Sequence, residues 1–125
     1  MTKKKKPSSK LINSIIKGLE EKKGFDIKSM DLTEIPNAVT GVFIICSGNS
    51  TTQVEGLADS VLHEVHKATK EKPWHTEGFE NKEWILIDFV DVVVHIFLPE
   101  IREFYGLEEL WADAKVTYHD ESATA

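Results

Sequence analysis

The chain has 125 residues, 41% of them apolar and 29% charged, with a formal net charge of −6. That length and balance fit one soluble globular domain with a real core and exclude a largely disordered chain. The single cysteine, Cys46, excludes an intrachain disulfide and favours a reducing compartment; no apolar run is long enough for a membrane span or a signal-peptide core, so an unexported protein without a membrane partner is expected.

The charge is unevenly spread. Five lysines and no acid fall within residues 1–10, which leaves 10 basic against 21 acidic residues in the remainder. In residues 71–113 only Lys72, Lys82 and Arg102 stand against eleven acids. Phosphate contacts need lysine and arginine, so this body is poorly suited to sequence-specific nucleic-acid recognition. It suits a basic protein partner, with plain solubility as the competing reading.

In chain order, residues 1–8 hold four consecutive lysines and Pro7 and predict a disordered basic tail. Ser8 or Ser9 can cap a helix over residues 9–23, in which Ile12, Ile15, Ile16 and Leu19 recur at helical spacing. Lys22 and Lys23 suit its negative end, and Gly24 can take the left-handed stop. Residues 25–32 predict a short strand, and residues 33–41, with Pro36 and Asn37, a loop. Residues 42–46 are continuously apolar, as for a central strand buried on both faces. Ser50 and Gln53 then form a capping-box pattern, after which Val54, Leu57, Ala58, Val61, Leu62, Val65 and Ala68 keep the helical period until Pro73. Residues 74–77 predict a short strand and residues 78–83 a turn.

Residues 84–98 form the longest dense run of β-branched and aromatic side chains, too long for one ordinary strand. A fold-back with Phe89 and Val90 as a two-residue turn pairs Asp88 with Asp91, Leu86 with Val93 and Trp84 with His95. One face then carries Ile85, Ile87, Val92, Val94, Ile96 and Leu98, all core. The other carries Trp84, Leu86, Asp88, Asp91, Val93, His95 and Phe97, apolar but mixed with charge, and is either a second core layer or a binding surface. Pro99 opens a helix with Glu100 in its first turn and Ile101, Phe104 and Tyr105 on its apolar side; Gly106 ends it, and residues 107–111 form a last helical turn. One domain over residues 9–114 is expected, followed by a flexible C-terminal tail over 115–125. The architecture predicted is α/β, a mixed five-stranded sheet with flanking helices.

Catalytic motifs are weak. The Ser47-Gly48-Asn49-Ser50 loop lies where many α/β folds bind phosphate, but it lacks a P-loop lysine and dinucleotide glycine spacing, so a tight turn plus helix cap is favoured. The alternative function is a nucleotide-binding or nucleotidyltransferase-like enzyme using that loop. Cys46 ends an apolar strand and reads as a small hydrophobe rather than a nucleophile paired with His95 or His63. His63 and His66 have no evident third ligand, so no metal, cofactor or catalytic residue is expected. Asp88 and Asp91 ask for a cation, and a partner's lysine or arginine is favoured over a metal, with a solvated turn as the competing reading. Trp84 beside Leu86, Val93 and Phe97 fits an interface hot spot.

Taken together, Phe43-Ile44-Ile45-Cys46-Ser47-Gly48-Asn49-Ser50, Gln53-Val54, Ala58-Asp59, Glu77-Gly78, Trp84-Ile85-Leu86 with Asp88, Asp91-Val92-Val93-Val94-His95, Phe104-Tyr105, Leu107-Glu108 and Leu110-Trp111 resemble the ribosomal silencing factors, the Iojap family, over residues 11–114. The resemblance implies binding to the large ribosomal subunit through its ribosomal protein number fourteen. It also implies a steric block of small-subunit joining, lowered translation when nutrients are short, and a cytoplasmic location. The implied fold is similar to nucleotidyltransferases without enzymatic activity, and the implied partner-binding residues are Trp84, Leu86, Asp88, Asp91, Val93, His95 and Tyr105. Self-association as a homodimer through the same face is a further expectation. Two departures stand out. Val90 replaces the family's usual glycine, which points to a longer or different turn, and Thr40-Gly41-Val42 replaces an acidic and aromatic entry to the central strand.

Overall fold

The architecture follows from where each segment hides its apolar side. The computed structural model describes residues 7–36, 38 and 40–119; residues 1–6 of the expected basic tail, Asn37 in the predicted loop, Val39, and residues 120–125 lie outside them. The first helix, α1 (Ser9–Glu21), is capped by Ser8, whose Oγ accepts from the Leu11 amide at 3.1 Å. It ends at Glu21, and two residues on the chain turns away at Lys23, which carries a left-handed φ of 61°. Gly24 is therefore not the left-handed stop expected of it. It is small for a different reason: a Cβ there would stand 2.4 Å from Cys46 Sγ.

The strand β1 (Phe25–Asp31) pairs antiparallel with β2 (Val42–Ser47), and the long helix α2 (Thr51–Thr69) follows. The Ser50 Oγ accepts from the Gln53 amide, as the capping pattern predicts. The Gln53 side chain does more: its Oε1 accepts from the Asn49 amide and its Nε2 donates to the carbonyls of Lys22 and Lys23, tying the end of α1 to the start of α2. The two helices run antiparallel and cross at Gly18, where a Cβ would lie 2.8 Å from Val61 Cα, and Ser60 Oγ donates to the Gly18 carbonyl.

Next come β3 (His75–Glu77), β4 (Trp84–Asp88) and β5 (Val92–Phe97), then α3 (Pro99–Tyr105), α4 (Leu107–Leu110) and β6 (Lys115–Tyr118). The sheet order is β3-β4-β5-β2-β1-β6, with β2 and β5 parallel and every other pair antiparallel. The sheet thus has six strands, not the five expected. The sixth falls in the stretch expected to be tail, and each of its residues is exposed on its own. It is a strand because β1 offers it a free edge, with Lys28 to Asp31 opposite Tyr118 to Lys115.

The main core lies between the α1–α2 layer and one sheet face, where Ile85, Ile87, Val92, Val94 and Ile96 meet Ile15, Leu19, Val54, Leu57, Val61 and Val65. Burying each large aliphatic side chain contributes about 1.5–3 kcal/mol before chain entropy is subtracted. On the opposite face α3 and α4 cover a second, smaller cluster. Met30, Ile45 and Phe97 are buried there against Ile101, Leu107 and Trp111.

Candidate protein-binding face

The register of the β4–β5 hairpin sets this face. Trp84 stands opposite Phe97, Leu86 opposite His95 and Asp88 opposite Val93. The expected pairings of Trp84 with His95, Leu86 with Val93 and Asp88 with Asp91 are each displaced by two positions. The tip explains the shift. Of its residues only Val90 has positive φ, at 78°, whereas a two-residue type I′ turn needs it at both Phe89 and Val90. Instead the Asp91 amide donates to the Phe89 carbonyl at 3.0 Å, a γ-turn centred on Val90. The Asp91 carbonyl is taken by the amides of Gly41 and Val42, which draws Asp91 toward β2 and away from Asp88. A shift of two is one full side-chain period, so the division of residues between the two faces survives.

The face opposite the helix layer is shared between core and surface. Phe97 is fully buried beneath α3 and α4, and His95 and Val93 are only 4% and 8% exposed. Trp84, Leu86, Asp88 and Asp91 are half-buried, and Tyr105 on α3 is 53% exposed. Of the seven sequence-predicted residues, Trp84, Leu86, Asp88, Asp91 and Tyr105 reach the surface, whereas Val93 and His95 lie beneath it. Trp84 is held on three sides. Its ring stacks on Phe97 at 4.8 Å, lies 4.8 Å from Tyr105, and its indole N–H donates to His95 Nδ1 at 3.1 Å. Accepting that bond leaves the neutral imidazole proton on Nε2, which is buried without a hydrogen-bond partner. Burial holds the His95 pKa down to about 4, so the ring is neutral at pH 7 and the clamp on Trp84 is intact. The edge of the Phe43 ring contact, 4.7 Å away, completes the pocket around the imidazole.

A charged knot anchors the covering helices. Arg102 donates through Nε to Glu108 at 2.8 Å and through one terminal nitrogen to the Asp26 carbonyl and Ser47 Oγ, while Lys28 also pairs with Glu108. Burial alone raises the Glu108 pKa, but the Arg102 and Lys28 bonds outweigh it and bring the group down to about 2. This knot fixes α3 and α4, and with them Tyr105, against the sheet.

The Ser47–Ser50 loop is committed to structure. The Gly48 amide donates to the Phe97 carbonyl at 2.9 Å, and the Asn49 amide is taken by Gln53. Cys46 is fully buried, and His63 and His66 are exposed on α2. Among the described residues no cluster of histidine, cysteine and carboxylates could hold a metal, and no helix is long and apolar enough to cross a membrane.

The geometry thus gives an aromatic and acidic patch held against the covering helices. A family model described as ribosomal silencing factor during starvation matches residues 5–125. The chain belongs to the ribosomal silencing factor family. A ribosomal silencing factor of Halalkalibacterium halodurans is 34% identical over 110 residues, spanning 86% of this chain and 90% of that one. A crystal structure of a Chromobacterium violaceum protein superposes with a TM-score of 0.77 at 35% identity, covering 86% of this chain and 88% of that one. A mouse protein named mitochondrial assembly of ribosomal large subunit protein 1 is 35% identical over 74 residues, 58% of this chain and 32% of the mouse protein. As a ribosomal silencing factor, this chain has a regulatory role in translation, exerted on the ribosome. The residue outside the sequence-predicted set that the fold brings to the patch is Trp74, on the coil leading into β3; its signal was an aromatic directly after Pro73 with no periodic apolar neighbours.

Proposed function

We propose that this protein binds the large ribosomal subunit through ribosomal protein number fourteen and blocks small-subunit joining by occupying the space, without chemistry of its own. The observation that carries the reading is Trp84, clamped on a rigid platform yet still open to a partner, next to Asp88 on a strongly acidic body. The name of the mouse relative, which refers to the ribosomal large subunit, supports the choice of subunit. A desolvated aromatic anchor of this kind contributes heavily to an interface, and the acids steer a basic surface onto it. The contact residues in this reading are Trp84, Leu86, Asp88, Asp91 and Tyr105, with Val93 and His95 supporting them from below. Self-association through the same face competes with the ribosome for Trp84. The site of action is the cytoplasm, where the subunits are.

The test is co-sedimentation with purified large subunits. Trp84→Ala is expected to weaken binding by at least ~1–2 kcal/mol, roughly 5–30-fold, while circular dichroism stays that of the parent. Unchanged co-sedimentation would sink the reading.

A further inference from the structure

Beside the Trp84 patch, at the tip of the hairpin, runs a groove of about 440 Å³ lined, among the described residues, by Thr40, Trp74, Asp88, Val90 and Val93. We propose that this groove receives a lysine or arginine side chain of the protein partner, its cation set between the Asp88 carboxylate and the Trp74 ring. The proposal rests on the reading of the adjoining face as a ribosomal-protein docking surface and adds a second anchor to it.

Four observations carry it. Trp74 is 75% exposed, so its ring is not part of either core cluster. Its main chain is nevertheless fixed, because its amide donates to the Asp88 carbonyl at 2.8 Å, so the ring stands on the same edge as the carboxylate. Asp88 uses Oδ1 to accept from the Val90 amide at 2.7 Å, and among the described residues no cation pairs with it. A half-buried carboxylate in that position is neutralised best by a charge from outside. Finally, Thr40 Oγ1 donates to the Val90 carbonyl at 2.9 Å, so its hydroxyl has only acceptor lone pairs left to offer the groove, which suit a cationic donor.

The shape then selects the chemistry. Val90 and Val93 give an apolar floor for an aliphatic stem; the indole face and the carboxylate give two attractions for a positive end. An anion is repelled by Asp88 and neighbouring Asp91. A purely apolar side chain would bury the carboxylate unpaired, which costs more than it gains. Asp88 borders both the groove and the Trp84 patch, so one partner can fill both.

The experiment has two arms. In the first, binding to purified large subunits is measured for the parent and for Trp74→Ala, Trp74→Phe, Trp74→Leu and Asp88→Asn. Trp74→Ala and Trp74→Leu are expected to bind about 5–10-fold more weakly, while Trp74→Phe, which keeps an aromatic face, stays within about 3-fold of the parent. Asp88→Asn, which keeps the bond to Val90, weakens the parent but adds little when Trp74 is already alanine. Trp74→Ala binding as the parent does, or Trp74→Leu as tightly as Trp74→Phe, overturns the proposal. If Trp84→Ala weakens binding and Trp74→Ala does not, the groove fails and the docking face stands. In the second arm, N-acetyl-arginine amide is titrated into the parent and followed by amide and indole N–H NMR shifts. Saturable shifts at Trp74, Val90 and Thr40, absent with N-acetyl-norleucine amide, are expected. Equal shifts with both, or none, overturn the groove even where the parent does not bind subunits.

Discussion

Val90 holds, with a β-branched side chain, a backbone conformation that glycine adopts freely. Its φ of 78° persists because Asp88 binds its amide and Thr40 its carbonyl. Val90→Gly relieves strain of about 1–3 kcal/mol and gives back part of it as unfolded-chain entropy. The side chain is 58% exposed, so little burial is lost. A net gain of about 1 kcal/mol in urea unfolding is expected; a loss of stability would mean that the conformation is not strained. His95 makes a prediction of opposite character. Its pKa is about 4 in the folded protein against 6.5 when unfolded. Between those values the unfolded chain takes up a proton that the folded one refuses. Stability is therefore unaffected by this group above about pH 6.5 and falls as the pH drops toward 4, by up to ~3 kcal/mol. Urea unfolding of the parent and of His95→Phe across pH 7 to 4 checks this: the variant should lose much less of its stability over that range. At this scale the sequence makes Trp84 and its acidic neighbours visible, because type and alternation place them on one face. It does not reveal that His95 lies beneath Trp84, since that depends on how far α3 and α4 reach across the sheet.

Between elements, α1 and α2 approach closely at Gly18. Any side chain there must displace the Val61 main chain rather than a flexible neighbour. Gly18→Val is expected to destabilise by about 2–3 kcal/mol, measured by urea or thermal unfolding, with the separation of the helices as the structural readout. Both helices are legible from their apolar periods, and so is the Ser50 cap. The bonds from Gln53 to Lys22 and Lys23 are not, because they link residues about thirty positions apart. Gly24 shows the same division. A glycine after a helix suggests a left-handed cap, yet here Lys23 supplies that turn and Gly24 makes room for Cys46. The strand β6 shows little in the sequence because no residue of it is buried. Its pairing is decided by the edge it meets.

Across the whole molecule, the mixed sheet is readable because its central strands are continuously apolar and its hairpin alternates. The hairpin tip is less so: the γ-turn at Val90 moves the register by two, which leaves the faces intact but separates the two aspartates that pattern alone had paired. The ambiguous face turns out to be divided, with Phe97, Met30 and Ile45 closed under α3 and α4 and Trp84, Leu86 and Asp88 left at the boundary. That division puts an anchor at the rim of a rigid cover, where a partner can add to an aromatic stack without opening the core.

The chain's three tryptophans fall at three different places around this one region. Trp74 stands in open solvent, Trp84 is wedged between Phe97 and the His95 imidazole, and Trp111, at the end of α4, packs onto the small cluster from the covering side. Each therefore emits from a distinct environment, and variants retaining one tryptophan at a time turn the docking region into a label-free optical gauge. Arrival of a partner should be registered by Trp84 before Trp111, and loosening of the cover in the reverse order.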